Sequence, residues 1–135
     1  MDLMQAVNIS ASGMAAQSTR MKVISENVAN ADSLITPEGG PYRRKIVSFE
    51  TVLDSNSGLQ KVNVSKISQD TTTPLKREYN PAHPLADENG YLARPNVNTM
   101  IESVDMRDAT RAYEANMAAI ESAKEMMVKS LDLIR

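Results

Sequence analysis

The chain has 135 residues, room for one modest domain or for two helices around a small insert. Hydrophobic residues make up 41 % and aromatics only 4 %, with no Trp and a single Phe, Phe49, so an isolated monomer is predicted to be only weakly stable. A net charge of −2 gives no electrostatic case for binding nucleic acid or an anionic membrane, and the absence of Cys excludes disulfides, thiol catalysis and Cys-based zinc sites.

The first residues do not read as a signal peptide. Residue 2 is Asp, no basic region precedes the apolar residues, and Gln5, Asn8, Ser10 and Ser12 interrupt them. No apolar run approaches the roughly 20 residues of a membrane span, so direct membrane insertion is not expected.

Composition divides the chain into three segments, 1–30, 31–96 and 97–135. All nine Met lie in the outer two. All six Pro and four of the five Gly (Gly39, Gly40, Gly58, Gly90) lie in the middle one. Met and Ala favour helix, whereas Pro and Gly break it. The predicted fold class is mainly α: long N- and C-terminal helices pairing as a coiled-coil-like core, with a small β or irregular middle insert.

The first helix is predicted over about residues 2–30, with Asp2 as its cap. Val7, Met14, Met21 and Val28 recur every seven residues, and Met4 and Ala11 start a partial second seam. From Leu3 to Thr19 there is no charged residue. A solvated helix normally carries charge on its outer face. The small residues Ser10, Ser12, Gly13, Ala15, Ala16 and Ser18 therefore suggest neighbours on several sides.

In the middle, Val47, Phe49, Thr51 and Leu53 alternate, as do Val62 and Val64 after a turn signal at residues 55–58, which predicts short strands. Residues 74–94 are rich in Pro, Asn, Asp and Gly and read as an ordered loop or linker. Glu38-Gly39-Gly40 lacks a following Lys-Ser/Thr and reads as a tight turn, not a phosphate cradle. Tyr42-Arg43-Arg44-Lys45 reads as a solvated strand edge or a polar contact with a neighbouring subunit or the cell wall. His83, the only His, reads as a turn residue between Pro81 and Pro84 and not as a metal ligand or catalyst. No cofactor or metal is expected.

The last helix is predicted from Asn98 or Thr99 to about residue 134. Met106, Tyr113, Ile120, Met127 and Ile134 recur every seven residues. Ala109, Asn116, Ala123 and Ser130 follow the first four by three, with Asn116 as a possible register-fixing interior residue. Glu102, Asp105, Arg107, Asp108, Arg111, Glu114, Glu121, Lys124, Glu125 and Lys129 are assigned to the other, solvated face, with Asp108–Arg111 and Glu125–Lys129 at helical pair spacing.

Two stretches carry more than periodicity. Ser25-Glu-Asn-Val-Ala-Asn-Ala-Asp32, followed by Thr36-Pro-Glu-Gly-Gly-Pro-Tyr-Arg-Arg-Lys45, resembles the Ala-Asn-x-x-Thr-Pro-Gly-Tyr signature of flagellar rod, hook and hook-associated proteins. It is expanded here by residues 32–35 and by Pro-Glu-Gly-Gly-Pro, a form similar to that of proximal rod proteins. Tyr79-Asn-Pro-Ala-His-Pro-Leu-Ala-Asp87, Gly90-Tyr-Leu92, Pro95-Asn-Val-Asn98, Ser103-Val-Asp-Met106 and Arg111-Ala-Tyr-Glu-Ala-Asn116 are similar to the same family.

The resemblance implies a structural, non-enzymatic subunit of the basal-body rod, the drive shaft of the bacterial flagellum. Such a subunit is exported by the flagellar type III apparatus and polymerises in the periplasm through its terminal helices. The implied partners are other rod proteins, a basal adaptor, the export apparatus, a rod cap and copies of itself. The residues themselves leave one alternative, a non-flagellar helical adaptor dimerising by its heptad seams.

Overall fold

The computed structural model describes residues 3–55 and 57–133; the predicted cap Asp2 and the last seam position, Ile134, lie outside them. Helix α1 spans Leu3–Ala29, strand β1 Lys45–Asp54, β2 Leu59–Gln69, β3 Lys76–Tyr79, β4 Tyr91–Arg94 and helix α2 Thr99–Asp132. With 27 and 34 residues, the helices are about 40 and about 51 Å long.

Asn98 starts α2: its side chain accepts from the Met100 N–H at 3.1 Å, satisfying one of the donors a helix start leaves unpaired. In α1 the small hydroxyls turn back on the helix, Ser12 onto the Ile9 carbonyl, Thr19 onto Ala15 and Ser25 onto Met21. This disposes of their polarity without water and lets an uncharged helix lie against neighbours.

The helices pair antiparallel. Asn27 near the end of α1 bonds Glu102 in the first turns of α2. Fourteen residues earlier in α1, Gly13 meets Asn116, fourteen residues later in α2. A Cβ on Gly13 would stand 3.0 Å from the Asn116 Nδ2, so the Asn116 side chain packs directly on the α1 backbone here. The buried apolar residues of the two helices are Ala16, Ala109 and Ala123 with Val23 and Ile24, and the polar Asn27 and Glu102 are buried at one end of the pair.

Strands β1 and β2 form an antiparallel ribbon with a register shift at Ser48/Phe49. The ribbon lies along α1. The Lys45 backbone bonds Asn27, and the Val62 N–H, opposite Thr51, donates to Ser12 Oγ. The fifteen helical steps from residue 12 to 27 and the six strand steps from 45 to 51 both span about 20 Å, so the fit is set by the two rises. Gly39 and Gly40 both take positive φ and close the Thr36–Gly40 turn that brings the chain from α1 to β1.

Residues 74–94, read as a loop, contain a second hairpin, β3–β4. Alternation could not reveal it, because Lys76, Arg77, Glu78 and Tyr79 are all exposed and four-residue β4 buries only Leu92. Cross-strand pairs hold it instead. Tyr79 meets Tyr91 edge-on at 5.3 Å, Arg77 lies over the Tyr91 ring, and Asp87 accepts from the Asn89 and Tyr91 N–H groups. Those bonds, the one from Tyr91 foremost, hold the Asp87 carboxyl below its usual value. His83 sits in the intervening turn, its Nδ1 accepting from the Leu85 N–H.

The molecule exposes 9272 Å². A compact monomer of 14.8 kDa would expose about 7,000 Å². The excess comes from an elongated helix pair and from strands exposed along most of their length.

Candidate assembly interface

The predicted seam residues take graded positions. Val7, Met14 and Met21 on α1 and Met106, Tyr113, Ile120 and Met127 on α2 are half-buried, and Val28 is exposed. Met21 faces α2, where its sulfur is 3.6 Å from Thr110 Oγ1. The completely covered α2 positions are Glu102, Ala109 and Ala123, with half-buried Asn116 continuing the same seven-residue line. A long Met or Ile beside so close a contact extends past it to the surface, which leaves it half-covered.

The opposite side of α1 is a second line. Met4, Asn8, Ala11, Ala15, Ser18, Lys22, Ser25 and Ala29 are all exposed, at alternating spacings of four and three. That is the spacing of a coiled-coil seam, and Lys22 is its only charge. It includes Met4 and Ala11 of the partial second seam. Helix α2 likewise exposes Met100 at 77 %, with Ile101, Val104, Met117, Met126, Val128 and Leu131 bare along its length.

Where the three segments meet, the core is polar. Glu102, assigned to the solvated face by its charge, is fully buried. Its carboxylate accepts from Asn27 Nδ2 at 3.1 Å and pairs with the Arg44 guanidinium, whose other arm reaches Asp105 at 3.2 Å. Arg20 stands 3.5 Å from the same Asp105. The Asn27 Oδ1 accepts from the Tyr42 hydroxyl and the Lys45 N–H, both at 2.9 Å. Burial, then the charges of Glu26 and Glu102, push the Tyr42 hydroxyl up to about 12, so it remains a donor. Tyr42-Arg43-Arg44-Lys45 is thus no simple solvated edge: Tyr42 and Arg44 turn inward, and Lys45 pairs with Glu26 at 3.1 Å. Asn96 joins the far side, accepting from the Arg44 N–H and donating to the Asp70 and Thr73 carbonyls. The Thr73 hydroxyl and N–H hold the Asp70 carboxyl below its usual value. Among the described residues, no group of three or more His, Cys, Asp or Glu is arranged to hold a metal ion.

Two family models match the chain: "Flagella basal body rod protein" over residues 7–33 and "Flagellar basal body rod FlgEFG protein C-terminal" over residues 88–133. These spans fall on α1 and on the β4–α2 end. Three relatives carry the name "Flagellar basal-body rod protein FlgC". That of Agrobacterium fabrum is 43 % identical, over 98 % of this chain and 96 % of its own. That of Borreliella burgdorferi is 40 % identical over 100 % and 99 %, and that of Salmonella typhimurium 40 % over 98 % of each. The chain belongs to the FlgC family of flagellar basal-body rod proteins.

Membership of the FlgC family sets aside the non-flagellar adaptor. It also places the polar junction within the stretches that carried the resemblance, since Asn27, Tyr42, Arg44 and Asn96 all lie in them. Glu102 lies just outside, one residue before Ser103; it stands seven residues before Ala109 on the same line, but its charge assigned it to the solvated face.

Proposed function

We propose that this chain is a structural subunit of the flagellar basal-body rod, working as a mechanical part of the drive shaft and not as an enzyme. Its terminal segments, 1–30 and 97–135, are the assembly elements, and segment 31–96 braces them. The terminal helices pack as a coiled-coil-like core in which Val7, Met14, Met21, Val28, Met106, Tyr113, Ile120, Met127 and Ile134 are covered by helices of the same and neighbouring subunits. The chain leaves the cytoplasm through the flagellar type III apparatus and assembles in the periplasm. There it meets other rod proteins, copies of itself, a basal adaptor and the rod cap.

The observation that carries this reading is the outward line from Met4 to Ala29, uncharged except for Lys22. An isolated soluble helix gains nothing from such a face, whereas a helix with a neighbour on its second side needs one. A contact between unlike faces that does not close into a ring extends as a helical filament, which is the geometry of a shaft. Basal bodies isolated from the source bacterium should contain this chain, and deleting its gene should abolish swimming. Motile deletion cells, or basal bodies lacking the chain, would overturn the proposal.

A further inference from the structure

Arg44 and Glu102 lie 58 residues apart, on different segments, and meet where those segments join. The Glu102 side chain is 1 % exposed and that of Arg44 25 %. Among the described residues, Arg44 is the cation placed against Glu102, because Arg20 reaches Asp105 and Lys45 reaches Glu26. The start of α2 is a favourable place for an anion, but the helix dipole alone is a weak substitute for a paired guanidinium.

The position of Arg44 depends on the ribbon being closed. Its carbonyl accepts from the Asp70 N–H at 2.7 Å, so the residue before β1 is tied to the residue after β2. Its own N–H donates to Asn96 Oδ1 at 2.7 Å, and the next residue, Lys45, is bonded to Asn27 through both backbone groups. If the ribbon opens, the guanidinium leaves, and a paired α1–α2 would bury the Glu102 carboxylate with the Asn27 amide as donor but no cation beside it.

We propose that Arg44 and Glu102 form a latch that makes pairing of the terminal helices conditional on closure of the β1–β2 ribbon. The paired helices and the ribbon then open together. A chain whose middle segment is unfolded keeps its terminal helices apart, although Ala16, Val23, Ala109 and Ala123 would otherwise bring them together. The latch stands on the contacts within one chain, whatever that chain assembles into.

The test is segment-resolved hydrogen exchange on the purified full-length chain, with variants R44M, E50P, R44M/E102M and R44M/E102M/E50P. Glu50 is an exposed residue in the middle of β1, so proline there opens the ribbon without touching either helix. In the wild type, α1, α2 and the ribbon should be protected and exchange as one unit. R44M should raise exchange in both helices by about a hundredfold, as expected for a buried carboxylate left without its partner. R44M/E102M should restore helix protection, because no charge remains to compensate. E50P alone should expose the helices with the ribbon, while R44M/E102M/E50P should expose the ribbon only. The proposal is overturned if wild-type helices exchange freely, if R44M leaves them within about twofold of wild type, or if R44M/E102M stays unprotected. It is equally overturned if E50P opens the ribbon alone in the wild-type background.

Discussion

At Gly13 the backbone of α1 packs directly against the Asn116 side chain of α2, and substitutions there measure that approach. An added Cβ would lie 3.0 Å from Asn116 Nδ2, 3.1 Å from Oδ1 and 3.2 Å from Cγ. The amide can swing away, but only by giving up its 2.9 Å bond to the Ala112 carbonyl, a loss of about 1 kcal/mol. Replacing an interior helical Gly by Ala contributes about 0.5–1 kcal/mol of helix propensity. The two terms offset, so Gly13→Ala should be close to neutral. Gly13→Val adds two more carbons to space one carbon already fills, and its propensity gain is only about 0.4 kcal/mol. Overpacking then wins, for a net loss of about 1–3 kcal/mol. The assay is thermal unfolding of the purified chain followed by helical circular dichroism, in which a loss of that size lowers Tm by about 4–12 °C. Combining Gly13→Val with Asn116→Ala should recover about 1 kcal/mol or more, since the two sites touch. Wild-type stability in Gly13→Val, or a penalty that Asn116→Ala leaves unchanged, would refute the close antiparallel approach.

Ala109→Leu, at a position with no exposed surface, should lower stability by about 1–3 kcal/mol through overpacking, read as a shift in the urea midpoint. Ala15→Glu, on the outward line of α1, should leave unfolding of the isolated chain within about 0.5 kcal/mol of wild type yet abolish swimming on soft agar, by placing a charge in a covered interface. The raised Tyr42 hydroxyl means that stability is retained below its ordinary value of 10.0 and lost as pH rises toward about 12. Urea midpoints of wild type and Tyr42→Phe should therefore converge over that range. Asp70 shifts the other way: its contribution is present above the ordinary carboxylate value of 3.8 and disappears as pH falls below it. Asp70→Asn should accordingly flatten the acid limb of the stability profile.

The helices were legible because their boundaries are chemical. Met and Ala fill the outer segments, Pro95 ends the middle one, and Asn98 caps α2. The β1–β2 ribbon was legible where alternation survived, around Val47, Val62 and Val64. Hairpin β3–β4 was not, since β3 is exposed along its whole length and β4 buries Leu92 alone, too short a pattern for alternation to mark. The depth of packing was only partly legible. Heptad spacing marks large apolar residues, but beside the Gly13–Asn116 contact the buried apolar positions are the small Ala16, Ala109 and Ala123. Glu102 was least legible of all. A carboxylate in a first helical turn ordinarily complements the helix dipole at the surface, and its partner comes from a segment 58 residues away. What pointed to that junction was the flagellar signature, which contains Asn27, Tyr42 and Arg44.

A density map of the intact basal body of the source bacterium bears most directly on whether this chain is a rod subunit built through its terminal helices. Both helices of each copy should be found packed in the wall of the rod, with the line from Met4 to Ala29 covered by a neighbouring subunit. A rod without this chain, or one in which that line of α1 faces solvent, would contradict the account.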